Sequence, residues 1–517
     1  MSRPVTALGL ALLYASAYFL PLLNPYALYF VPNFFDYVVS PSLICVSVLA
    51  PLFWLGASAP VAPGLKRAGL CLGAALLTFI AAKSLFDAAG MPWTSLLTRY
   101  NKGSAVERLE FDRWARPLVV GLAFPAAVWF VFLIRKKLAK WLHFLSTLGF
   151  AFVCLAMYRC LSGDLSVHPF EQAKAATTIQ PQQIAPRRVV WVIFDEMDYR
   201  LSLGRAGSNL PNFARLNARA VSATQAYSPG RDTLYSVPAL LNGMAVRGME
   251  ISHDQRLKLI GTDAASVPFD TVHSVFSRIP GGVRNASVLG FYHPYCRIFP
   301  LLRSCHSSYL GNAGRWYDGL FFFSEAVVSL SRFLQWPVHL SPDWLLTRFD
   351  PMYRVSAQTV VGLEPLLADK ASVLDFIHIN MPHLPNVYAQ RQLHQPVNTA
   401  AEAYKQNLLY ADGLLGQIVA SLEAQRADQR ILLVVSSDHW LRTASAWPMP
   451  VPFMAWEVGA NAGQAQSIDR PLSTVHTASL AVDFLSGAIS SQAEIAATLR
   501  RGTFSPTWMS PANTTYY

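Results

Sequence analysis

The sequence predicts two parts of different character: an α-helical membrane bundle of five spans, followed by an α/β domain with a mixed, mostly parallel sheet. Of the 517 residues, 52% are hydrophobic and only 14% are charged, whereas about 25% are charged in an ordinary soluble protein. Long apolar runs are concentrated in residues 1–161, while residues 187–517 contain charges, turns and short apolar runs that end at polar residues. The second part is long enough to bury a core of its own.

Five apolar segments in the first part are each close to the roughly 20 residues that a bilayer crossing requires. They cover residues 5–23, 37–57, 68–88, 117–134 and 142–161. The first segment is interpreted as an anchor rather than a cleaved signal, because no small-residue cleavage site follows it and four further spans do. Residues 162–186 lose the apolar pattern and gain Gln, Pro and Ser, which predicts a linker to the second domain.

Basic residues set the predicted orientation, because cytoplasmic loops retain Lys and Arg. They precede the first span and lie between the second and third and between the fourth and fifth: Arg3, Lys66, Arg67, Arg135, Lys136, Lys137 and Lys140. An odd number of spans then places residues 187–517 outside the cytoplasm. The net charge of +11 favours an anionic membrane as partner, and no nucleic acid partner is expected.

Cysteine usage agrees with that topology. Cys296 and Cys305 are the only cysteines after residue 161, and a disulfide between them is predicted in an oxidising compartment. No Cys-x-x-Cys or His-x-x-x-His spacing indicates a thiolate zinc site.

The first candidate site residues follow an apolar run that begins at Arg187. The run is typical of a buried strand and stops at two carboxylates, Asp195 and Glu196. In open α/β sheets ligands bind beyond the carboxyl ends of strands, and paired buried acids are costly unless a cation or a substrate uses them. A metal ion is therefore expected here. The structural alternative is that Asp195 only caps the helix that follows.

The second candidate is a turn-rich loop at 227–241 that opens into an apolar helix, with Arg231 and Thr233 at the turn. Free backbone N–H groups at such a helix start can bind an anion. Thr233 is a candidate nucleophile if a metal lowers the pKa of its hydroxyl. Taken alone, a threonine at this position is more often a helix N-cap.

Two further apolar strands end at metal-binding residue types. The segment 373–385 delivers His378 and His383, and the segment 431–440 ends at Asp438 and His439. A single histidine of this kind is more often a core or surface residue than a ligand. Four strand ends that carry an acid, a hydroxyl, a histidine and an Asp-His pair instead indicate one shared site.

The order of these motifs resembles the sulfatase-like branch of the alkaline phosphatase superfamily. The motifs are the strand-end acid, Thr-x-x-Ser-Val-Pro from Thr233, Pro-His-x-Pro around His383 and Ser-Asp-His ending at His439. The layout is most similar to the membrane phosphoethanolamine transferases of lipid A and, more distantly, to the lipoteichoic acid synthases. The resemblance covers most of residues 187–485 and implies an alkaline-phosphatase-like domain.

The resemblance also implies a location and a set of roles. It implies a multi-pass protein of the bacterial inner membrane whose catalytic domain lies in the periplasm or outside the cell. His383 matches the loop histidine that contacts the phosphoryl group or a second metal. The metal ligands that it implies are Asp195, Thr233, Asp438 and His439.

Several positions depart from the family pattern. Where the transferases have Val-Gly-Glu-Thr-Ala-Arg, this chain has Phe-Asp-Glu-Met-Asp-Tyr-Arg, so the strand-end ligand is Asp195 or Glu196, with Asp195 favoured. Trp440 replaces the glycine after Asp-His, and the histidine expected before the strand at 451–456 is absent, which argues against a permanent second metal. His476, where relatives often carry a histidine that opens a helix, is a further candidate. No sulfatase signature surrounds the nucleophile, so sulfatase activity is not expected.

These residues predict a metal-dependent transferase. Thr233 would attack the phosphorus of a membrane phospholipid donor and form a phosphothreonine, Arg231 and His383 would position the phosphoryl oxygens, and an envelope glycan or lipid would accept the group. Mixed Asp, Thr and His ligation suits zinc or manganese better than calcium, and a monomer is expected. The alternatives are a hydrolase of phosphoesters or sulfate esters with the same residues, and a non-catalytic membrane protein that keeps the fold.

Overall fold

The structure of the protein is a computed structural model, and by its internal contacts the chain divides into two compact units. One is built mainly on Met1–Pro169 and the other mainly on the residues that follow. Besides the isolated residues 29, 46, 50, 71, 85 and 389, the structure describes residues 3–19, 73–78, 80–82, 125–162, 184–204, 209–251, 256–308, 351–383, 399–442 and 448–502.

Arg3–Phe19 and Leu138–Ser162 are helices of the first unit, and helices and strands alternate through the second unit. The helices are α1 (Arg3–Phe19), α2 (Leu138–Ser162), α3 (Tyr199–Ser202), α4 (Pro211–Asn217), α5 (Thr233–Asn242), α6 (Val275–Arg278), α7 (Tyr295–Ile298), α8 (Pro351–Ala368), α9 (Ala400–Gln425), α10 (His476–Ser486) and α11 (Gln492–Arg501). The strands are β1 (Arg187–Asp195), β2 (Val221–Ala223), β3 (Ala226–Tyr227), β4 (Val246–Ile251), β5 (Leu257–Gly261), β6 (Ser266–Pro268), β7 (Ala286–Phe291), β8 (Ser304–Ser308), β9 (Leu374–Pro382), β10 (Arg430–Ser437), β11 (Phe453–Glu457), β12 (Gln466–Ile468) and β13 (Leu472–Ser473). Short 3₁₀ helices span Arg135–Lys137, Gly282–Asn285 and Ala462–Gln464.

In the first unit α1 packs along α2. The two backbones approach closely at a pair of glycines, since a Cβ on Gly149 would lie 2.0 Å from the carbonyl oxygen of Gly9. Small residues permit such close helix contacts in membrane helices. Leu13 of α1 and Leu145 of α2 are fully buried beside this contact.

The part of the chain that the structure describes contains one helix, Leu138–Ala156, that is long and apolar enough to cross a membrane. Pro4–Ser16 and Gly73–Ala82 are shorter apolar helices. The predicted span at 37–57 and most of the predicted linker lie outside the described residues. The described residues therefore do not support the predicted bundle of five spans beyond one candidate crossing.

An eight-stranded sheet, in the order β12-β2-β11-β10-β1-β9-β7-β8, forms the centre of the second unit. β11 is antiparallel to both of its neighbours, and the other pairings in this sheet are parallel. The predicted α/β domain with a mixed, mostly parallel sheet is thus confirmed. Because β7, β9, β1 and β10 are adjacent and parallel, their carboxyl ends meet at the same edge of the sheet.

Helices cover the central strands, which explains their continuous apolar sequences. Val190, Val192 and Phe194 of β1 belong to one buried core with residues of α4, α8 and α9. α10 also packs on β1 and β10. Every residue of β1 after Arg187 is buried as a result.

A buried ion pair joins the amino-terminal ends of β1 and β9. The Nε atom of Arg188 donates to Asp375 Oδ2 at 2.6 Å, and neither side chain is exposed. The remaining guanidinium donors reach the Leu366 and Leu367 carbonyls and the Gln425 side chain. This network fixes α8 and α9 to the edge of the sheet opposite the candidate site.

The predicted disulfide between Cys296 and Cys305 is present. Cys296 lies in α7 and Cys305 in β8. The bond closes the loop that connects these two elements.

Candidate metal centre and nucleophile

The structure brings together side chains from three adjacent strand ends and one helix start. Asp195 is the last residue of β1, Asp438 follows β10, and His378 of β9 pairs in register with Ile193. The pairing of β1 with β9 shifts register between Phe194 and Asp195, and such irregularities re-aim side chains near active sites.

Thr233 lies at the centre of this group. Its Oγ1 donates to Asp438 Oδ2 at 2.7 Å and lies 3.4 Å from Asp195 Oδ1 and 3.4 Å from His439 Nε2. Its side chain is buried with these partners. The hydroxyl oxygen therefore faces two carboxylates and an imidazole rather than solvent.

The structural alternatives for these residues do not hold. The N-cap of α5 is Asp232, which accepts from the backbone of Tyr235, so Thr233 is the first residue of the helix and not its cap. The helix after β1 is capped by Asp198, which accepts from the Arg200 backbone. Neither Asp195 nor Thr233 is needed for capping.

His439 presents a lone pair to the centre. Its Nδ1 lies 3.0 Å from the carbonyl oxygen of Trp440. A carbonyl only accepts, so Nδ1 carries the proton and Nε2 is free to act as a ligand. Nε2 lies 3.4 Å from Asp195 Oδ1 and 3.5 Å from Asp438 Oδ2.

His378 is a fifth member that the sequence did not single out as a ligand. It is fully buried, its Nδ1 lies 3.0 Å from the Tyr295 hydroxyl, and its Nε2 has no hydrogen-bond partner. Nε2 lies 4.0 Å from Asp438 Oδ2, and one ligand atom each of Asp195, His378 and Asp438 lies within 4.8 Å of the others. Burial lowers the pKa of His378 to about 4, so the imidazole is neutral at pH 7.

The electrostatics of the two carboxylates differ. Burial, then the charges of Asp438 and Glu196, raise the pKa of Asp195 well above its ordinary value. Burial also acts to raise the pKa of Asp438, but the imidazoles of His439 and His378 and the hydrogen bond from Thr233 outweigh burial and lower that pKa. When two buried acids lie this close, ionisation of both is unfavourable unless a cation neutralises their negative charges.

The donor set fits a divalent cation. Two carboxylates, two imidazoles and a hydroxyl converge, and the unpartnered Nε2 of His378 is the kind of buried ring nitrogen that a metal would satisfy. Mixed oxygen and nitrogen donors suit zinc or manganese. The residues that would hold the ion are Asp195, Thr233, His378, Asp438 and His439.

Glu196 points elsewhere. Its backbone has a positive φ of 62°, a conformation that a glutamate rarely adopts, and its N–H donates to Asp438 Oδ1 at 3.1 Å. Its carboxylate accepts from the backbone N–H and the Nε of Arg442, each at 3.3 Å, and lies 3.6 Å from His383 Nε2. Of the two acids that the sequence left open, Asp195 is the one whose carboxylate faces Thr233.

The other candidates lie around this centre. His383 follows β9, with its side chain 24% exposed, and burial lowers its pKa. Arg231 is half-buried two residues before Thr233 and makes no hydrogen bond or ion pair with the described part of the chain. His476 begins α10, and its ring lies against Gly502 after α11.

His293 holds the backbone of the nucleophile in place. It follows β7, and its Nε2 donates to the carbonyl oxygen of Thr233 at 3.0 Å. Burial lowers its pKa to about 3, so it is a neutral hydrogen-bond donor. The sequence signal for His293 is the same as for the other members, a polar residue just after the apolar strand 286–291.

No family model and no curated protein matches the sequence, but solved structures are similar in fold. The soluble domain of lipooligosaccharide phosphoethanolamine transferase A from Neisseria meningitidis is 14% identical, with a TM-score of 0.36 over 59% of this chain and 89% of that chain. The lipoteichoic acid synthase LtaP from Listeria monocytogenes is 12% identical, with a TM-score of 0.38 over 58% and 72%. A protein in the alkaline phosphatase superfamily from Vibrio parahaemolyticus is 11% identical, with a TM-score of 0.36 over 61% and 73%.

One of them is described as a protein in the alkaline phosphatase superfamily, which is the superfamily that the motifs resemble. The identities and TM-scores are low, and the chemistry of the site is not argued from this likeness. What the site can do follows from its own atoms.

Proposed function

We propose that the protein is a metal-dependent transferase that moves a phosphoalcohol group, such as phosphoethanolamine, from a membrane phospholipid to an envelope glycan or lipid. The observation that carries this proposal is the setting of Thr233. Its hydroxyl donates to Asp438 at 2.7 Å and lies within 3.4 Å of Asp195 and His439. A hydroxyl held this way is a nucleophile next to a proton acceptor.

In the first step Oγ1 of Thr233 attacks the phosphorus of the donor headgroup. A bond forms between Oγ1 and phosphorus, the bond from phosphorus to the lipid oxygen breaks, and diacylglycerol leaves with a proton. The hydroxyl proton of Thr233 already points at Asp438 Oδ2, which can accept it and pass it to the leaving oxygen of the lipid. A bound divalent cation would lower the pKa of the hydroxyl and stabilise charge on the phosphoryl oxygens.

In the second step a hydroxyl of the acceptor attacks the same phosphorus, and the bond to Oγ1 breaks. The acceptor's proton returns to Thr233 through the same carboxylate, so the enzyme is regenerated. We assign Arg231 and His383 to positioning the phosphoryl oxygens. Two positions support this assignment. Arg231 is two residues before the nucleophile in the chain, and His383 follows the strand that carries His378.

We place the catalytic domain outside the cytoplasm, in the periplasm or outside the cell, in a bacterial inner-membrane protein with five spans. The disulfide between Cys296 and Cys305 supports an oxidising compartment. An alkaline phosphatase reporter fused after residue 165 should be active, and one fused near Lys137 should be inactive. The opposite pattern would contradict the proposed topology.

The transfer reaction is tested with the full-length protein in bacterial membranes that contain a phospholipid labelled in its headgroup. The proposal predicts that the label moves to an envelope glycan or lipid, with diacylglycerol released in equal amount. Label that appears only as a free water-soluble phosphoester would identify a hydrolase. No turnover by protein that contains stoichiometric metal would favour a non-catalytic role.

A further inference from the structure

A second group of side chains borders the metal centre, and we call it the rim cluster: Glu196, His383 and Arg442. The carboxylate of Glu196 accepts from Arg442 Nε at 3.3 Å, and a terminal nitrogen of Arg442 lies 3.4 Å from His383 Nε2. Glu196 is nearly buried, with its side chain 5% exposed, whereas 35% of the Arg442 side chain is exposed. The cluster thus has a buried base and an arginine at its open side.

The rim cluster is tied directly to the nucleophile's partners. Glu196 follows Asp195 in the chain, and its backbone N–H donates to Asp438. Arg442 lies three residues after His439, and its Nε donates to the carboxylate of Glu196 at 3.3 Å. The guanidinium therefore borders the metal centre through the residue that links Asp195 to Asp438.

The charges of the rim cluster disfavour a bound cation and favour a bound anion. Glu196 is already neutralised by Arg442, and a cation bound to that carboxylate would have to sit next to the guanidinium. An arginine carries five N–H donors in a planar fork. The contacts of Arg442 with the described residues use Nε and one terminal nitrogen, so the other terminal nitrogen is left to donate to an anion.

We propose that Arg442 binds the non-bridging oxygens of the substrate's phosphoryl group. This inference rests on the proposed function, because it places the same phosphoryl group against Thr233. Glu196 is a positioning residue that holds the guanidinium in one orientation, and His383 contacts the guanidinium beside the proposed phosphoryl site. A fixed arginine can stabilise the phosphoryl oxygens in the same way as it recognises phosphate elsewhere.

The inference is tested first by binding, independently of turnover. Inorganic phosphate is titrated calorimetrically into the full-length, metal-loaded protein in detergent, for the wild type, Arg442→Gln, Arg442→Lys and Arg303→Gln. Arg303 is a matched control, since it pairs with Asp369 through Nε at 2.6 Å and is 27% exposed, but precedes β8 at the opposite edge of the sheet. Melting temperatures confirm that each variant is folded.

We expect Arg442→Gln to bind phosphate at least about tenfold more weakly, which is the scale of one lost charge-assisted hydrogen bond. Arg442→Lys keeps the charge but not the fork, so it should show a smaller loss, and it serves as the test if the glutamine variant does not fold. Arg303→Gln should bind as the wild type does. Equal binding by wild type and both Arg442 variants, an equal loss in Arg303→Gln, or no phosphate binding by the wild type would overturn the inference.

The kinetic arm separates this inference from the proposed function. If labelled lipid transfers its headgroup, Arg442→Gln should lower kcat/KM by at least the same factor, and unchanged kinetics would refute the role of Arg442 while the transferase stands. If no transfer occurs but phosphate binding depends on Arg442, the transferase is refuted and the anion site stands.

Discussion

The assignment of His378 as a metal ligand makes a prediction whose sign depends on the metal. The change is His378→Asn. Asparagine keeps a polar atom near the position of Nδ1, so the Tyr295 hydroxyl, now 3.0 Å from Nδ1, keeps a partner, while the unpartnered Nε2 is removed.

The expected sizes follow from this geometry. In metal-free protein a buried acceptor without a partner costs about 1–3 kcal/mol, and the small cavity left by the substitution costs about 1 kcal/mol, so stability should be unchanged or slightly higher. Removal of a residue that only hydrogen-bonds a metal ligand already weakens metal binding strongly. The loss of a ligand itself should therefore raise the Kd for the metal by at least about 100-fold. At saturating metal that corresponds to about 2.7 kcal/mol, or a Tm difference of about 4 °C for a domain of this size.

The assay is calorimetric melting of wild type and His378→Asn, each after chelation and each with excess zinc or manganese. We expect the rise in Tm on adding metal to be smaller by about 4 °C in the variant, with little change in the chelated proteins. A variant that is equally destabilised with and without metal would show that His378 has a packing role only, and would refute its assignment as a ligand.

Three further predictions concern the centre, the core and the disulfide. Asp438→Asn should lose both bound metal and activity, because it removes an anionic ligand that accepts from Thr233 at 2.7 Å; metal content after gel filtration measures this, and full occupancy would contradict it. Arg188→Met should lower the free energy of unfolding by about 3–5 kcal/mol, because it leaves the buried Asp375 without its cation, and Arg188→Met with Asp375→Leu should recover most of the loss in a denaturant titration. Replacing both Cys296 and Cys305 by serine should cost roughly 2–3 kcal/mol in the loop-entropy model, and no change in stability under oxidising conditions would contradict that role for the bond.

The strand ends were predictable because their signal is local. Apolar runs that stop at polar residues led to Asp195 and to Asp438-His439, and a turn before an apolar helix led to Thr233. The structure places the three strand-end residues within hydrogen-bond range of Thr233 Oγ1. Adjacent parallel strands have their carboxyl ends at one edge of the sheet. Once each strand is predicted correctly, its end residue is therefore expected to lie near the others.

The remaining site residues depend on geometry that a linear pattern does not contain. His378 lies inside the apolar run of β9, where a histidine is ordinarily read as part of the core, and only its unpartnered Nε2 indicates a ligand. The sequence left Asp195 and Glu196 as alternatives, because it does not specify the positive φ of Glu196 that turns its carboxylate to Arg442. Arg442 itself reaches the site through a turn after His439, and no periodicity predicts such a turn.

The central claim is that Thr233 is the nucleophile, and the most direct measurement is mass spectrometry of the quenched reaction. Wild-type protein mixed with labelled phospholipid should carry the labelled phosphoalcohol group on the peptide that contains Thr233. Thr233→Ala should carry none and should lose turnover while retaining metal through the other ligands. Thr233→Ser, which keeps the hydroxyl but lacks the β-methyl that restricts χ1, should retain a reduced rate. Full turnover by Thr233→Ala, or a label on another residue, would contradict the account.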